Sequence, residues 1–267
     1  MIILDRLTTQ NWPKYLFNLR VFFSPQHKSH SPKTFISKGK ILESPEQPKR
    51  ADILEKAARL AGHDFIEAKR YGLNPIKNIH DNGYIQFLKT AWSIWENTPN
   101  SGTEIIPNVH PGRNMNASPN SIISLSGHYQ ADTACPIGEG TYEGIIASSD
   151  VAVSGAYAIM NDIKNGNSKS FAYSLCRPPG HHAFADQAGG FCFFNNAAIA
   201  AQVCLDSGAK RVAILDVDVH HGNGTQGIFY HRSDVFTVSL HGDPFFYYPF
   251  FAGYADEIGS DEGTEYN

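Results

Sequence analysis

The densest concentration of reactive side chains falls in two short stretches, Arg177-Pro-Pro-Gly-His-His182 and Asp216-Val-Asp-Val-His-His-Gly-Asn223. In an extended segment Asp218 and His220 lie two apart and project to the same side, so a carboxylate oxygen and an imidazole nitrogen can converge on one ion. Asp216 shares that face. Mixed oxygen and nitrogen donors suit zinc, or iron(II), better than magnesium, which prefers oxygen and retained water. A single histidine at a strand end is ordinarily just a hydrogen-bonded polar group. Two His-His pairs with two Asp residues are harder to explain so, because burying that many ionisable groups without a metal or catalytic use carries a large desolvation cost.

Both stretches need a scaffold, and the hydrophobic pattern predicts one. Arg20 to Phe23 reads as a first strand entering a polar, Pro-punctuated loop, Gln26 to Pro48. Arg50 to Ala61 has a helical period that stops at Gly62, and His80 to Trp95 repeats it. Asn97 to Ser126, rich in Pro, Asn, Gly and Ser, reads as a long functional loop. Thr141 to Asn161 is a small-residue helix suited to close packing on a sheet. Phe171 to Cys176, Arg211 to Val217 and Val235 to Leu240 read as strands, with Asn196 to Ser207 as a helix ending at Gly208. The apolar run at Arg211 to Val217 predicts a strand buried on both faces. Strands alternating with helices give an α/β domain whose largely parallel sheet presents its site at the carboxyl ends of strands. Both reactive stretches follow predicted strands.

With 267 residues, 42% of them hydrophobic, the chain is long enough for one large domain. A net charge of −4 gives no basic face for nucleic acid. Cys135, Cys176, Cys192 and Cys204 have no CxxC spacing, against a disulfide framework or a zinc knuckle. Polar residues interrupt the segment Met1 to Leu19, so it lacks a signal-peptide core, and no segment reaches the roughly 20 apolar residues of a membrane span. These features predict a cytoplasmic protein without a membrane partner.

Three segments carry a resemblance. Ser174-Leu-Cys-Arg-Pro-Pro-Gly-His-His-Ala183, Gly189-Gly-Phe-Cys-Phe-Phe-Asn-Asn-Ala-Ala198 and Val212-Ala-Ile-Leu-Asp-Val-Asp-Val-His-His-Gly-Asn-Gly-Thr-Gln226 resemble the histone deacetylase superfamily. His241-Gly-Asp-Pro244, Gly253-Tyr-Ala-Asp-Glu257 and His80-Asp-Asn-Gly-Tyr-Ile-Gln-Phe-Leu88 look most like its acetylpolyamine amidohydrolases. The resemblance implies a three-layer arginase/deacetylase-like α/β fold, a central mainly parallel sheet flanked by helices, over residues 20–267 after an N-terminal extension at 1–19. It implies a metal-dependent hydrolase that removes acetyl groups from acetylated polyamines or acetyl-lysine-like amides.

Residue by residue, it implies that Asp218 and His220 bind zinc. His182, paired with Asn223, would be the general base and acid, and His181, held by Asp216, would act electrostatically. Structural potassium would use Asp216, Asp218, His220, Ser239 and Leu240, with a second ion on carbonyls near Phe229, Arg232 and Val235. Gly190 and Phe191 would line a substrate tunnel, with Asp132 an acidic candidate near its mouth, and Arg50 would lie beside an acetate channel. Asn97 to Ser126 falls where amidohydrolases of this type carry a dimerising insertion, so a homodimer is implied.

The family's third zinc ligand, an Asp, and its oxyanion-stabilising Tyr lie downstream of the matched motifs. The sequence stops at Asn267, so the expectation is an incomplete site and a fold whose C-terminal part is missing, with a sheet edge and core surface left exposed. Two functions are therefore carried forward: the hydrolase, and an inactive binding or dimerisation module. An arginase-like manganese hydrolase would need more carboxylates.

Overall fold

The computed structural model describes residues 18–267. Of the expected N-terminal extension, all but Asn18 and Leu19 lie outside the described residues. In chain order the elements are β1 (Arg20–Phe23), a hairpin of β2 (Thr34–Ser37) and β3 (Lys40–Glu43), α1 (Lys49–Leu60), β4 (Asp64–Glu67), α2 (Asn74–Lys77), α3 (Asn82–Trp95), α4 (Ile122–Tyr129), α5 (Thr141–Lys164), β5 (Ala172–Ser174), α6 (Asn196–Asp206), β6 (Val212–Asp216), α7 (Asn223–Phe229) and β7 (Val235–Ser239).

β1 sits between β4 and β5 in a parallel sheet, and β6 pairs in parallel with β7, opposing Asp216 to Ser239. This is the expected α/β architecture with helices covering parallel strands. α5 packs against both α6 and β5. Its buried stripe of Gly144, Ala147, Ser148, Ala152, Gly155 and Ala156 permits that approach. Tyr84, Phe193, Phe194, Ile85, Ile199 and Phe229 centre the core beneath the site loops. Between the edges of β5 and β6 lies a cleft of about 490 Å³, lined mainly by small residues of α5 and α6.

Three expectations need correction. The strand at 211–217 is not buried on both faces: Leu215 is 63% exposed, because among the described residues β6 pairs only with β7 and its outward face is uncovered. The polar stretch from Gln26 to Pro48 contains the β2–β3 hairpin, closed by Lys38 and Gly39 at φ 50° and 73°, the left-handed pair that a two-residue hairpin turn requires. The long loop ends early, where Ser121 and Ser124 form a reciprocal capping box that starts α4.

Candidate active site

The tandem histidines sit on an irregular segment between β5 and α6, and buried polar contacts replace a regular hydrogen-bond ladder. Arg177 is 3% exposed and pairs with the buried Glu46 carboxylate at 2.7 Å. Its guanidinium also donates to the carbonyls of His27 and His30 at 2.6 and 2.8 Å. Burial pushes the Glu46 carboxyl up, a push that the Arg177 charge opposes. Asn196 Nδ2 donates to the Pro178 carbonyl and to Ser148 Oγ. Asn195 Nδ2 donates to the Ala183 carbonyl and to Thr225 Oγ1, tying the segment to α7.

His181 and His182 emerge from this frame with ring centroids 4.0 Å apart. His181 Nδ1 donates to Asp216 Oδ2 at 2.7 Å, and His182 Nδ1 donates to Asn223 Oδ1 at 2.7 Å. With Nδ1 as donor, a neutral ring keeps its Nε2 lone pair for accepting a proton. His182 is 4% exposed. Burial, and then the charge of His181, pull its pKa down to about 3, against which the Asn223 hydrogen bond acts weakly. For Asp216 burial pushes upward, but the hydrogen bond and charge of His181 prevail and hold the carboxyl below its ordinary range. Gly222 packs against this pair: a Cβ there would stand 2.4 Å from Asp216 Oδ2.

Asp218 and His220 converge, by a different route from the one expected. The chain leaves β6 at Asp216 and turns. Asp216 Oδ1 accepts from the Asp218 backbone N–H at 3.0 Å, and Asp218 Oδ1 accepts from the His220 backbone N–H at 2.8 Å. Each Asp side chain thus folds the backbone two residues on, an Asx turn. His220 Nδ1 lies 3.0 Å from Asp218 Oδ1. Donors bound to zinc at about 2.0 Å in tetrahedral array stand about 3.3 Å apart, so these two atoms fit two positions around such an ion. Among the described residues no group of three or more His, Cys, Asp or Glu side chains is placed to hold a metal. The donor set therefore fits zinc as far as two ligands. For Asp218 burial pushes the carboxyl up, but the His220 N–H and nearby imidazoles hold it below its ordinary range.

The other expected site residues divide. Gly190 abuts the site, since a Cβ there would lie 2.3 Å from His182 Cδ2. Phe191 follows at φ 72°, a left-handed conformation unusual for a bulky residue, and its ring meets Phe35 at 5.6 Å. Asp132 spends both oxygens internally, accepting from the backbone N–H groups of Ala134 and Gly190 and from the Tyr248 hydroxyl. Arg50 is exposed and stands 3.8 Å from Glu46.

Of the potassium candidates, the Asp216 carbonyl accepts from the Leu240 N–H, and Ser239 Oγ is 2.8 Å from His241 Nδ1. Asp216 and Ser239 line a cavity of about 170 Å³ with His221, His241 and Glu257. The Phe229 and Arg232 carbonyls converge on one donor, Asn267 Nδ2, at 2.7 and 2.8 Å. Val235 is buried.

Sequence reasoning missed two neighbours of the site. Tyr248 stands edge-on to His182, centroids 4.7 Å apart at 86°, but six aromatics crowd 245–251 and nothing in their spacing selects it. His80, 2% exposed, has a fixed tautomer: Nδ1 donates to the Ala185 carbonyl at 3.2 Å and Nε2 accepts from the Asn195 N–H at 2.9 Å. Burial lowers its pKa to about 4.

The fold is a parallel-stranded α/β scaffold that brings paired histidines and carboxylates together on the loops after its strands, and comparison with known proteins gives the class. Residues 44–267 match the histone deacetylase domain. An acetylpolyamine amidohydrolase of Pseudomonas aeruginosa is 46% identical over 92% of this chain and 70% of its own length. The acetylpolyamine amidohydrolase of Mycoplana ramosa is 45% identical over 92% of this chain and 71% of its own. The crystal structure of an acetylpolyamine aminohydrolase from Burkholderia pseudomallei superposes with a TM-score of 0.87 at 41% identity, over 94% of this chain and 71% of that one. The chain belongs to the histone deacetylase family, hydrolases acting on amides.

Proposed function

We propose that the site releases acetate from acetylated primary amines, with acetylated polyamines as the preferred class and acetyl-lysine-like amides as the alternative. The observation that carries this reading is the pair of adjacent histidines whose Nδ1 atoms hold unlike partners, Asp216 and Asn223. The anionic partner stabilises a charged His181 ring. The neutral amide leaves His182 free to exchange a proton at Nε2, a division of labour set by environment. His182 Nε2 takes the proton of the attacking water and returns it to the leaving nitrogen. Asp218 and His220 would hold zinc, which would supply polarisation of the acetyl carbonyl and acidification of the water. Gly190 and Phe191 wall the approach to His182, and Arg50 flanks the acetate exit. Asp216, Asp218, His220, Ser239 and Leu240 would hold one potassium ion, and the carbonyls of Phe229, Arg232 and Val235 a second in exchange for the Asn267 amide, which would stiffen the loops after β6 and β7. A homodimer in the cytoplasm completes the proposal, on the sequence resemblance alone.

The test is acetate release from acetylputrescine and from an acetyl-lysine peptide by zinc-loaded protein. Turnover that disappears in His182→Ala supports the reading, and none by the parent chain sinks it. A second reading, a binding or dimerisation module, is favoured by the half-exposed Asp218 and His220 and by the two-ligand donor set. Substoichiometric zinc together with a stable dimer would select it.

A further inference from the structure

We infer that Glu104 is a positioning residue for the entrance to the site: its carboxylate holds the β2–β3 hairpin so that Phe35 closes on Phe191. Glu104 is 7% exposed, and backbone groups take both of its oxygens. Oε1 accepts from the Lys33 N–H at 2.8 Å and Oε2 from the Thr34 N–H at 2.9 Å. A buried carboxylate is costly unless hydrogen bonds compensate, and bonds to a carboxylate are the strong ones. The two bonds therefore make a firm tie between remote segments. Glu104 is itself rooted in the core, because the next residue, Ile105, is fully buried and exchanges backbone bonds with Ile137 at 2.8 and 3.1 Å.

The hairpin needs such a tie. Two strands alone are marginally stable in water, and all of β3 is exposed. A cavity of about 400 Å³ opens at the hairpin's base, with Lys33, Glu104 and Trp92 in its lining. Gln47 Nε2 joins only the two ends of the hairpin, donating to the Pro32 and Ser44 carbonyls. Among the described residues, the two bonds to Glu104 are the hydrogen bonds that tie residues 31–45 to a distant part of the chain. What they secure is an aromatic contact. Thr34 begins β2, and Phe35 after it meets Phe191 with ring centroids 5.6 Å apart, tilted by 45°. Phe191 follows Gly190, which abuts His182, so the placement of the hairpin sets the width of the approach. Glu104 acts on substrate only through these rings, a role that rests on the hydrolase reading above.

Glu104→Gln keeps the shape and turns one acceptor into a donor facing an N–H. Amide exchange at Lys33 and Thr34 should quicken about tenfold, with the amides of α3 and α5 unchanged. In protein labelled at phenylalanine, the Phe191 ring resonances should shift, and the same change made in a Phe35→Ala background should leave them in place. Unaltered exchange, an unmoved ring, or a shift that persists without Phe35 overturns the positioning role. If α3 and α5 lose protection, the variant has unfolded, and Glu104→Asp, which keeps the charge and draws it back by one methylene, carries the same test. In the kinetic arm, KM for acetylputrescine should rise about threefold to tenfold in Glu104→Gln with kcat within about twofold, a loss of uniform binding. Combined with Phe35→Ala it should rise no further than in Phe35→Ala alone. A fall in kcat with KM intact overturns the role at the entrance. Absence of turnover in the parent chain would sink the hydrolase reading alone, and the exchange and ring measurements would still decide whether Glu104 places Phe35 against Phe191.

Discussion

The chain carries two adjacent-histidine pairs, and the fold treats them differently. His181 and His182 are braced ring against ring, each with Nδ1 held by a partner, and His182 is almost fully buried. In the second pair the residues part company. His220 lies open beside Asp218, its side chain 40% exposed. His221 turns inward, 5% exposed, with Nε2 3.1 Å from Gln226 Oε1 and its ring 4.6 Å from His241. On the function proposed above, identical dipeptides would yield a base, an electrostatic neighbour, a candidate ligand and a buried structural group. Partner and burial decide the role, and the dipeptide does not.

The widest test of that contrast is His182→Ala, expected to lower kcat by about 10²-fold to 10⁴-fold. If His221→Ala cost as much activity, the contrast would collapse. His221→Ala should instead act on stability, by about 1 to 3 kcal/mol, through the loss of a buried hydrogen-bonding group, read from urea unfolding. For the open pair, Asp218→Ala or His220→Ala should abolish stoichiometric zinc after equilibration and buffer exchange, measured by elemental analysis, whereas His221→Ala should retain it.

A subtler probe is Asn223→Asp, which places an anion against the His182 ring. The charge favours the protonated imidazole, so the acid limb of the kcat/KM profile should move to higher pH; an unmoved limb would remove His182 as the titrating base.

His80 shows what burial does to this side chain away from the paired histidines. Its Nε2 accepts an N–H, so a proton there would set donor against donor. The folded pKa is about 4 against 6.5 for the ordinary group, so below pH 6.5 the unfolded chain binds more protons. Stability present above pH 6.5 should fall progressively towards pH 4, by on the order of 3 kcal/mol from this group. His80→Gln should flatten that part of the stability profile.

Much of this was legible in the sequence, for physical reasons that differ by element. α3 and α6 follow strong periodicity, and their observed limits differ from the expected ones by at most two residues. The Asp216–His181 and Asn223–His182 pairings followed from motif resemblance, which encodes geometry that spacing alone does not. The convergence of Asp218 with His220 was anticipated, but through strand alternation, whereas the backbone achieves it with side-chain-capped turns that mimic the same proximity. The Tyr248–Asp132 bond joins residues 116 apart and leaves no local pattern. Nor does the Arg177–Glu46 pair.

That buried pair has a kinetic consequence. Arg177 bonds to residues 131 to 150 positions earlier in the chain, and such contacts form only after a long loop has closed. A contact made after the folding barrier contributes little to the rate of folding and much to the lifetime of the folded state. Weakening it with Glu46→Gln should therefore hasten unfolding while refolding proceeds at nearly its former pace. The segment that presents His181 and His182 is thus fastened by residues 131 to 150 positions earlier in the chain.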